Sequence, residues 1–158
     1  MKEIPLTQGK ITIVDDEDYE RLAKHKWFAD EDHGGRAWRA MRHERNACIQ
    51  MGREILGAPD GMYVDHINGD PLDNRRSNLR LCTPMENSRS RRKNLRSSSQ
   101  YKGVHWNTER RRWIAQIKIN YRKVKLGRYE RELDAARAYD RAALEHFGAF
   151  AVINGIED

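Results

Sequence analysis

Residues 64–87 read VDHINGDPLDNRRSNLRLCTPMEN, and this stretch decides the fold. Two short apolar runs, at 62–65 and 79–82, predict strands, and the Gly-, Asp-, Pro- and Asn-rich segment between them is typical of a surface loop. A helix is predicted from Pro84, because the surrounding Thr-Pro-x-Glu supplies an N-cap, a proline at the first helical position and a capping box. The stretch therefore predicts a strand, a loop, a strand and a helix, a ββα unit.

Four side chains of this unit suggest metal-assisted chemistry. Asp65 and His66 end the first strand and Asn87 begins the helix, so the second strand should bring them together. The carboxylate of Asp65 and the amide oxygen of Asn87 suit a hard cation such as Mg²⁺, with Mn²⁺ as an alternative. His66 is the predicted general base for attack of water on a phosphodiester, and Asn78 is predicted to bond the loop backbone and hold His66.

These residues resemble the HNH nuclease motif in its homing-endonuclease form. The resemblance implies that Asp65 and Asn87 are metal ligands, that His66 is the general base and that Asn78 fixes the loop. Asn74 also stands where asparagine is common in this group. Many members have histidine in place of Asn87 and of Asp65, so the resemblance leaves the preferred metal open.

Basic residues are concentrated in the C-terminal half of the chain. The 158 residues carry a net charge of +6, but 86–128 alone contain 14 basic residues against Glu86 and Glu109, a local net charge of +12. Such a density repels itself unless a polyanion binds it, and nucleic acid is the simplest such partner. The Arg- and Ser-rich run at 88–100 is either a solvated linker or a segment that follows the phosphate backbone. Its candidate phosphate contacts are Arg89, Arg91, Arg92 and Lys93.

Residues 1–64 predict an α+β segment that precedes the nuclease unit. Its predicted elements are a strand at 10–14, a helix at 19–24, a turn at 30–35, a strand at 36–42 and a helix at 49–56 that ends at Gly57. Nothing in this segment looks catalytic. It is expected to act as a scaffold or to add DNA contacts through Arg39, Arg42, Arg45 and Arg53.

A second small domain is predicted from the pattern after Ser99. Alternation along 112–120 places Trp113, Ala115, Ile117 and Ile119 on one face and polar residues on the other, with Val124 and Leu126 continuing the apolar side. An alanine-rich helix should follow at Glu132–Phe147 and end at Gly148. The pattern predicts a three-stranded antiparallel sheet packed on one helix.

This region resembles the Apetala-type, ethylene-response-factor DNA-binding domain. The resemblance rests on Tyr101-Lys102-Gly103-Val104, Trp113-x-Ala115-x-Ile117, Leu126-Gly127-x-Tyr129, Ala135-Ala136-x-Ala138-Tyr139-Asp140 and Gly148…Ala151-x-x-Asn154. It implies a sheet lying in the major groove of double-stranded DNA. Lysine or histidine replaces the family's usual arginine at several positions, so its target sequence does not carry over. The DNA-facing residues implied by position are Lys102, His105, Asn107, Gln116, Lys118, Lys123 and Lys125.

Together these features predict an α+β protein with a nuclease domain at 1–96, a linker at 97–100 and a DNA-binding domain at 101–158. The mean hydropathy of −0.96 fits two small domains better than one large core. We expect a soluble intracellular protein, because no apolar run resembles a membrane span or a secretory signal. Cys48 and Cys82 are expected to be buried and reduced, without structural zinc or a disulfide.

The function predicted from the sequence is an HNH homing endonuclease that cuts or nicks double-stranded DNA with one divalent ion. It is expected to act as a monomer or homodimer, with no small-molecule cofactor and no membrane partner. The resemblance points to a phage genome or phage intron as the source. Two alternatives stay open: a catalytically inactive, sequence-specific regulatory DNA-binding protein, and an RNA-directed nuclease or splicing accessory.

Overall fold

The computed structural model of the chain describes residues 1–31, 37–45, 47–89 and 97–156, except for the side chain at 89. Helices and strands are mixed along the chain, consistent with the predicted α+β class. The chain divides into two compact units, Met1–Pro84 and Met85–Asp158. Within the described ranges, no helix combines the length and the apolar character needed to cross a membrane.

The first unit is built from short antiparallel pairings. In its described part β1 pairs with β2, β3, β4 and β5 form a sheet in that order, and β6 pairs with β7. The elements are β1 (Lys2–Pro5), β2 (Ile11–Val14), α1 (Asp16–Leu22), β3 (Phe28–Glu31), β4 (Trp38–Glu44), β5 (Ala47–Gln50), α2 (Met51–Leu56), β6 (Tyr63–His66) and β7 (Leu79–Cys82).

One apolar core connects these pairings. Helix α2 packs against β4 and β5 and also against β6 and β7. Met51 at the start of α2 is fully buried, as are Val14 and Leu22 from the N-terminal segment. Burial of these side chains is the main favourable term that attaches the N-terminal segment to the β6–β7 hairpin. The same core contains Ile4, Leu6, Trp27, Ala29, Ala40, Ile55 and Leu79.

The predicted elements around residues 62–87 agree closely with the structure. The predicted strands become β6 and β7, and the predicted helix is α3 (Pro84–Arg89), which begins at Pro84. Upstream, the predicted strand at 10–14 is β2, and Gly57 ends α2 in the left-handed conformation with φ 56°.

Other predictions for residues 1–64 were wrong in their bounds. Ile49 and Gln50 were assigned to a helix, but they belong to β5, where they pair with Arg42 and Met41 of β4. Asp30 was assigned to a turn, but it lies in β3. The helix expected at 19–24 begins earlier, at Asp16, and the strand expected at 36–42 is β4. Residues 32–35 of the predicted turn and residue 36 of the predicted strand lie outside the described residues.

The second unit contains a three-stranded sheet covered by one long helix in its described part. Strands β8 (Val104–Asn107), β9 (Arg112–Ile119) and β10 (Arg122–Tyr129) form an antiparallel sheet in the order β10, β9, β8. Helix α4 (Glu132–Phe147) packs against all three strands through its alanines. A register shift after Lys125 lets Leu126 join this core, while the next residue pairs with Ala115.

Gly103 is required where β8 approaches α4. Its φ of +76° is unfavourable for other residues, and an added Cβ would lie 1.9 Å from a ring carbon of Tyr139. The strand therefore packs directly on the aromatic ring. This packing leaves no room for a side chain at position 103.

A buried carboxylate holds the C-terminal segment to the same region. Asp140 of α4 accepts hydrogen bonds from the backbone and the side-chain nitrogen of Asn154, both at 2.8 Å. The Asn154 side chain accepts a bond from the Lys102 backbone N–H at 2.6 Å and donates to the Lys102 carbonyl at 3.2 Å. These bonds join the start of the sheet, the helix and the C-terminal segment.

Three further expectations meet a mixed outcome in the structure. Val124 lies opposite Ile117 on the face that α4 covers, as expected, but it is 40% exposed. Ile114 was left out of the apolar set but is buried. Cys48 was expected to be buried but is exposed, whereas Cys82 is buried as expected.

The serines of the predicted linker lie within the second unit and bond to its helix and to β8. Ser99 is buried and donates to Glu132 at 2.6 Å, Ser97 donates to the Val104 carbonyl and Ser98 accepts from the Trp106 N–H. The domain boundary at 97–100 stays a prediction.

Candidate active site

Asp65 and His66 occupy the last two positions of β6. In the register with β7, Asp65 lies opposite Arg80 and His66 lies opposite Leu79. Successive strand residues point to opposite faces, yet both side chains are about nine-tenths buried. Both residues are thus held by the strand pairing at the point where the loop begins.

The His66 side chain is held by an asparagine that the sequence had singled out only by resemblance. Its Nε2 lies 3.2 Å from Oδ1 of Asn74. The Asn74 side-chain nitrogen donates to Oγ1 of Thr12 at 2.9 Å and to the Pro71 carbonyl at 3.3 Å. Thr12 and Asn74 are essentially fully buried, so water does not compete for these bonds. Burial lowers the pKa of His66 below its ordinary value, partly offset by the bond to Asn74.

Asn78 closes the loop between β6 and β7. Its Oδ1 accepts from the Asn68 N–H at 2.9 Å, its side-chain nitrogen donates to the Asp73 carbonyl at 2.8 Å and its carbonyl accepts from the Ile67 N–H at 2.9 Å. The predicted bonds from Asn78 to loop backbone are therefore present. Its effect on His66 stays a prediction.

The carboxylate of Asp65 forms an ion pair within the hairpin. Arg80 donates through Nε at 2.8 Å and through Nη2 at 2.5 Å, both to Oδ2 of Asp65. Among the described residues, no group donates a hydrogen bond to Oδ1, and about 11% of the side chain is exposed. This carboxylate fits a metal ligand, because one oxygen lies outside the ion pair and hard cations prefer such oxygens.

The other predicted ligand, Asn87, lies on α3 and is half-buried. It belongs to the second compact unit, whereas Asp65 belongs to the first. The described residues contain no cluster of three or more His, Cys, Asp or Glu side chains arranged to hold a metal ion. Joint binding of one cation by Asp65 and Asn87 therefore stays a prediction, and it would use one carboxylate, one amide oxygen and waters.

The N-terminal segment supports the loop through contacts that sequence reasoning missed. The Ile13 N–H donates to the Leu72 carbonyl at 2.9 Å, and the Asn74 N–H donates to the Ile13 carbonyl at 2.8 Å. Asp18 of α1 accepts two bonds from Arg76, at 2.8 and 2.9 Å. Burial alone would raise the pKa of Asp18, but its bonds to Arg76 and Arg21 outweigh burial and lower it. The segment at 1–64 thus acts as a scaffold for the loop.

Three of the four N-terminal arginines suggested as DNA contacts have partners within the fold, and Arg39 donates to Asp30 at 3.0 Å. Arg42 is buried and donates to Glu54 at 2.7 Å. Arg53 donates to the carbonyls of Met62, Ala58 and Pro59, where the chain leaves α2. Both guanidinium groups are occupied within the fold, which favours a scaffolding role for Arg42 and Arg53, and DNA contact by these arginines stays a prediction.

The strand register of the second unit places most of the predicted DNA-facing residues on one side of the sheet. Lys123 lies opposite Lys118, Lys125 opposite Gln116 and His105 opposite Ile114. Directly opposed residues of antiparallel strands share a face, and α4 covers the other face. We call His105, Gln116, Lys118, Lys123 and Lys125 the basic face.

The basic face carries charge that the described fold leaves uncompensated. Lys118, Lys123 and Lys125 are exposed, and none of them forms an ion pair with a described carboxylate. Lys118 lies over the ring of Tyr121 at 5.6 Å. Like charges on opposed strand positions destabilise a sheet, so a polyanion would relieve this arrangement.

The remaining predicted DNA contacts differ in their surroundings. Asn107 accepts a bond from the Arg110 N–H at 2.7 Å in the turn after β8. Lys102 is partly buried, and burial lowers its pKa to about 8. Residues Arg91, Arg92 and Lys93 and the side chain of Arg89 lie outside the described residues.

Comparison with known proteins places the site in a family. Residues 53–89 match the family HNH endonuclease, and this range contains Asp65, His66, Asn78 and Asn87. The chain is similar to protein 3.8 of Escherichia phage T7, with 44% identity over 59 residues; the match covers 37% of this chain and about half (49%) of the phage protein.

A second relative matches over nearly the whole chain. It is named an uncharacterized HNH endonuclease of Acanthamoeba polyphaga mimivirus, and it is 38% identical over 156 residues, which cover 95% of this chain and 78% of that protein. Similarity at this level includes both the hairpin that holds His66 and the sheet that carries the basic face. The chain belongs to the HNH endonuclease family.

Proposed function

We propose that this chain is a DNA endonuclease of the homing type that hydrolyses a phosphodiester bond with His66 as general base. The observation that carries the proposal is the placement of buried Asp65 and His66 at the last two positions of β6, inside the range that matches the family. An imidazole held there by Asn74, next to a carboxylate with one oxygen outside its ion pair, suits activation of water beside a cation.

The proposed reaction is an in-line displacement at phosphorus. His66 takes a proton from a water molecule while the water oxygen forms a bond to phosphorus. The bond from phosphorus to the departing oxygen breaks, and that oxygen takes up a proton from solvent. Asn78 keeps the loop closed, so the imidazole does not have to be ordered when DNA binds.

Asp65 and Asn87 are the proposed ligands of one divalent ion, with Mg²⁺ preferred and Mn²⁺ accepted. HNH nucleases generally use divalent metal ions, and oxygen ligands from one carboxylate and one amide suit Mg²⁺. When bound, such an ion stabilises negative charge on the phosphate and on the departing oxygen. Arg80 would then have to share Asp65 with the cation, because it donates to the other carboxylate oxygen.

The basic face is the proposed surface for site selection on double-stranded DNA. A two-stranded β-ribbon fits the major groove, and the uncompensated lysines suit phosphate oxygens at its edges. Lys102, Asn107, Arg89, Arg91, Arg92 and Lys93 are proposed as further contacts. Both relatives are viral, which supports a role of the chain inside a virus-infected cell, as a monomer that nicks or a homodimer that cuts both strands.

Incubation of supercoiled plasmid with the purified chain tests the proposal. We expect nicked or linear DNA with Mg²⁺ and none with an excess of chelator. Sequencing of the new ends would give the cut position and the strand preference. Intact plasmid in Mg²⁺ and in Mn²⁺, together with sequence-specific binding, would support the inactive regulatory protein instead. Cleavage restricted to RNA would support the RNA-directed alternative.

A further inference from the structure

Two backbone carbonyls determine which group donates and which accepts in each hydrogen bond around His66. The Leu72 and Pro71 carbonyls can only accept. The Thr12 hydroxyl lies 2.7 Å from the Leu72 carbonyl and therefore donates its single proton there. Thr12 Oγ1 must then accept from the Asn74 side-chain nitrogen, which also donates to the Pro71 carbonyl.

This direction decides which atom of Asn74 faces the imidazole. With its nitrogen directed at Thr12 and Pro71, Asn74 presents Oδ1 to Nε2 of His66. An amide oxygen only accepts, so the bond at 3.2 Å requires a proton on Nε2. If the Asn74 side-chain amide were rotated by 180°, its oxygen would face the oxygen of the Pro71 carbonyl, and the hydrogen bond to that carbonyl would be lost.

We propose that Thr12 and Asn74 fix the tautomer of His66, holding the proton on Nε2 so that Nδ1 is the atom that accepts a proton from water. Nδ1 hydrogen-bonds to none of the described residues, which leaves its lone pair for the reaction. Thr12 and Asn74 touch no substrate in this assignment and are positioning residues. The catalytic consequence of this inference rests on the proposed function. The tautomer assignment does not, because it follows from the hydrogen bonds alone.

The N-terminal strand is what makes this arrangement rigid. Ile13, next to Thr12, bonds the loop backbone on both sides of Asp73, so β2 fixes the Asn74 main chain as well as its side chain. Gly52 of α2 lies behind the amide, and an added Cβ there would approach Asn74 Oδ1 to 3.2 Å. The segment before the nuclease motif has no catalytic side chains, but in this assignment it positions the general base.

Nitrogen NMR of the full-length chain without metal or DNA tests the tautomer directly. Among the six histidines, His66 is assigned from the signal that is lost in His66→Gln. At about pH 8.5, roughly two units above the ordinary imidazole pKa, we expect a protonated Nε2 and an unprotonated Nδ1. Thr12→Val removes the hydroxyl at nearly constant volume, and its partner variant Thr12→Ser keeps the hydroxyl while removing one buried methyl group.

Thr12→Val should give a mixture of tautomers and a catalytic rate constant about 10–100-fold lower, with DNA affinity unchanged. Thr12→Ser should retain the wild-type tautomer and rate, and Asn74→Asp, which keeps an acceptor, should retain the tautomer. A wild-type His66 protonated on Nδ1 would overturn the proposal, even if the Thr12→Val chain fails to fold. So would a folded Thr12→Val with unchanged tautomer and rate. The expected tautomer in a protein that cuts no DNA would support the assignment and count against the proposed nuclease function alone.

Discussion

Replacing His66 by alanine is expected to remove DNA cleavage while leaving DNA affinity close to that of the wild type. The imidazole is the proposed base, and a general base contributes typically about 10²–10⁴-fold to rate. His66 is buried at the end of β6 and does not belong to the basic face, whose exposed lysines are proposed to bind DNA, so its loss should leave affinity nearly unchanged. Single-turnover nicking and a binding titration on the same DNA measure the two effects separately.

His25→Ala is the matched control for this experiment. His25 is an exposed histidine of the same unit whose backbone N–H bonds to the Leu22 carbonyl at 3.1 Å, so its side chain can be removed without disturbing the loop. We expect wild-type cleavage from this variant. A His66→Ala protein that nicks at the wild-type rate would show that another group activates water.

Asp18→Asn is expected to lower the free energy of unfolding of the first unit by about 2 kcal/mol at neutral pH, the scale of a charge-assisted hydrogen bond. Asp18 is 4% exposed and receives two bonds from Arg76. Glu17 also pairs with Arg76, at 2.8 Å, but is 68% exposed, so Glu17→Gln should have little effect.

The effect of Asp18→Asn should depend on pH in one direction. The pKa of Asp18 is lower in the folded chain than its ordinary value of 3.8, so its stabilisation is complete above 3.8 and is lost as the pH falls through the folded value. Urea unfolding at neutral pH and at about pH 3 would measure this change. A stability difference between wild type and variant that stays equal at both pH values would contradict the assignment of the ion pair as its source.

The turn between β9 and β10 carries conformational strain that one substitution should release. Asn120 and Tyr121 have φ of 46° and 63°, the pattern of a two-residue type I′ turn in which glycine is favoured. Tyr121→Gly should remove about 1–2 kcal/mol of left-handed strain and lose about 0.5 kcal/mol of cation–π attraction to Lys118. The sheet should therefore gain about 1 kcal/mol.

Amide hydrogen exchange in β9 and β10 measures this gain in the second unit alone. Lys118→Gln isolates the cation–π part and should lower protection only slightly. Weaker protection in Tyr121→Gly than in the wild type would show that the tyrosine ring contributes more than the strained backbone costs.

Elements with strong local signals could be predicted from the sequence, and the others could not. Turn residues and a capping box mark β6, β7 and the start of α3, and alternation marks β9. The strands β1, β3 and β5 were missed although β6 and β7 are equally short, because no recognised motif marks them and their pairing partners elsewhere in the chain determine them. Ile49 illustrates this, since pairing with β4 overrides its apparent helical pattern.

The residues of the candidate site also fall into those that a local sequence pattern indicates and those that it does not. Asp65, His66 and Asn78 could be singled out as candidates because they lie within fourteen residues of sequence, in a recognisable order. Thr12 and Asp18 were missed because they lie 62 and 58 residues from their partners Asn74 and Arg76. A threonine in a strand and an aspartate in a first helical turn are ordinary residues there, so no local pattern could have distinguished them.

Across the whole molecule, the placement of charge should matter more than its total for DNA binding. Lys118→Gln, Lys123→Gln and Lys125→Gln together remove three charges from the basic face. Lys2→Gln, Lys24→Gln and Lys26→Gln remove three from exposed positions of the first unit, so both variants change the net charge from +6 to +3. Any difference between them must come from where the lysines lie.

Removing one lysine that binds a phosphate should reduce the slope of log K against log salt by about 0.9. If all three lysines of the basic face bind phosphates, that variant should show a slope about 2–3 shallower than the wild type, whereas the control should keep a slope close to wild type. Binding titrations on one duplex over a range of salt concentrations supply the measurement. Equal slopes in the two variants would mean that the sheet attracts DNA only through the overall charge of the chain, and site selection would then have to lie on another surface.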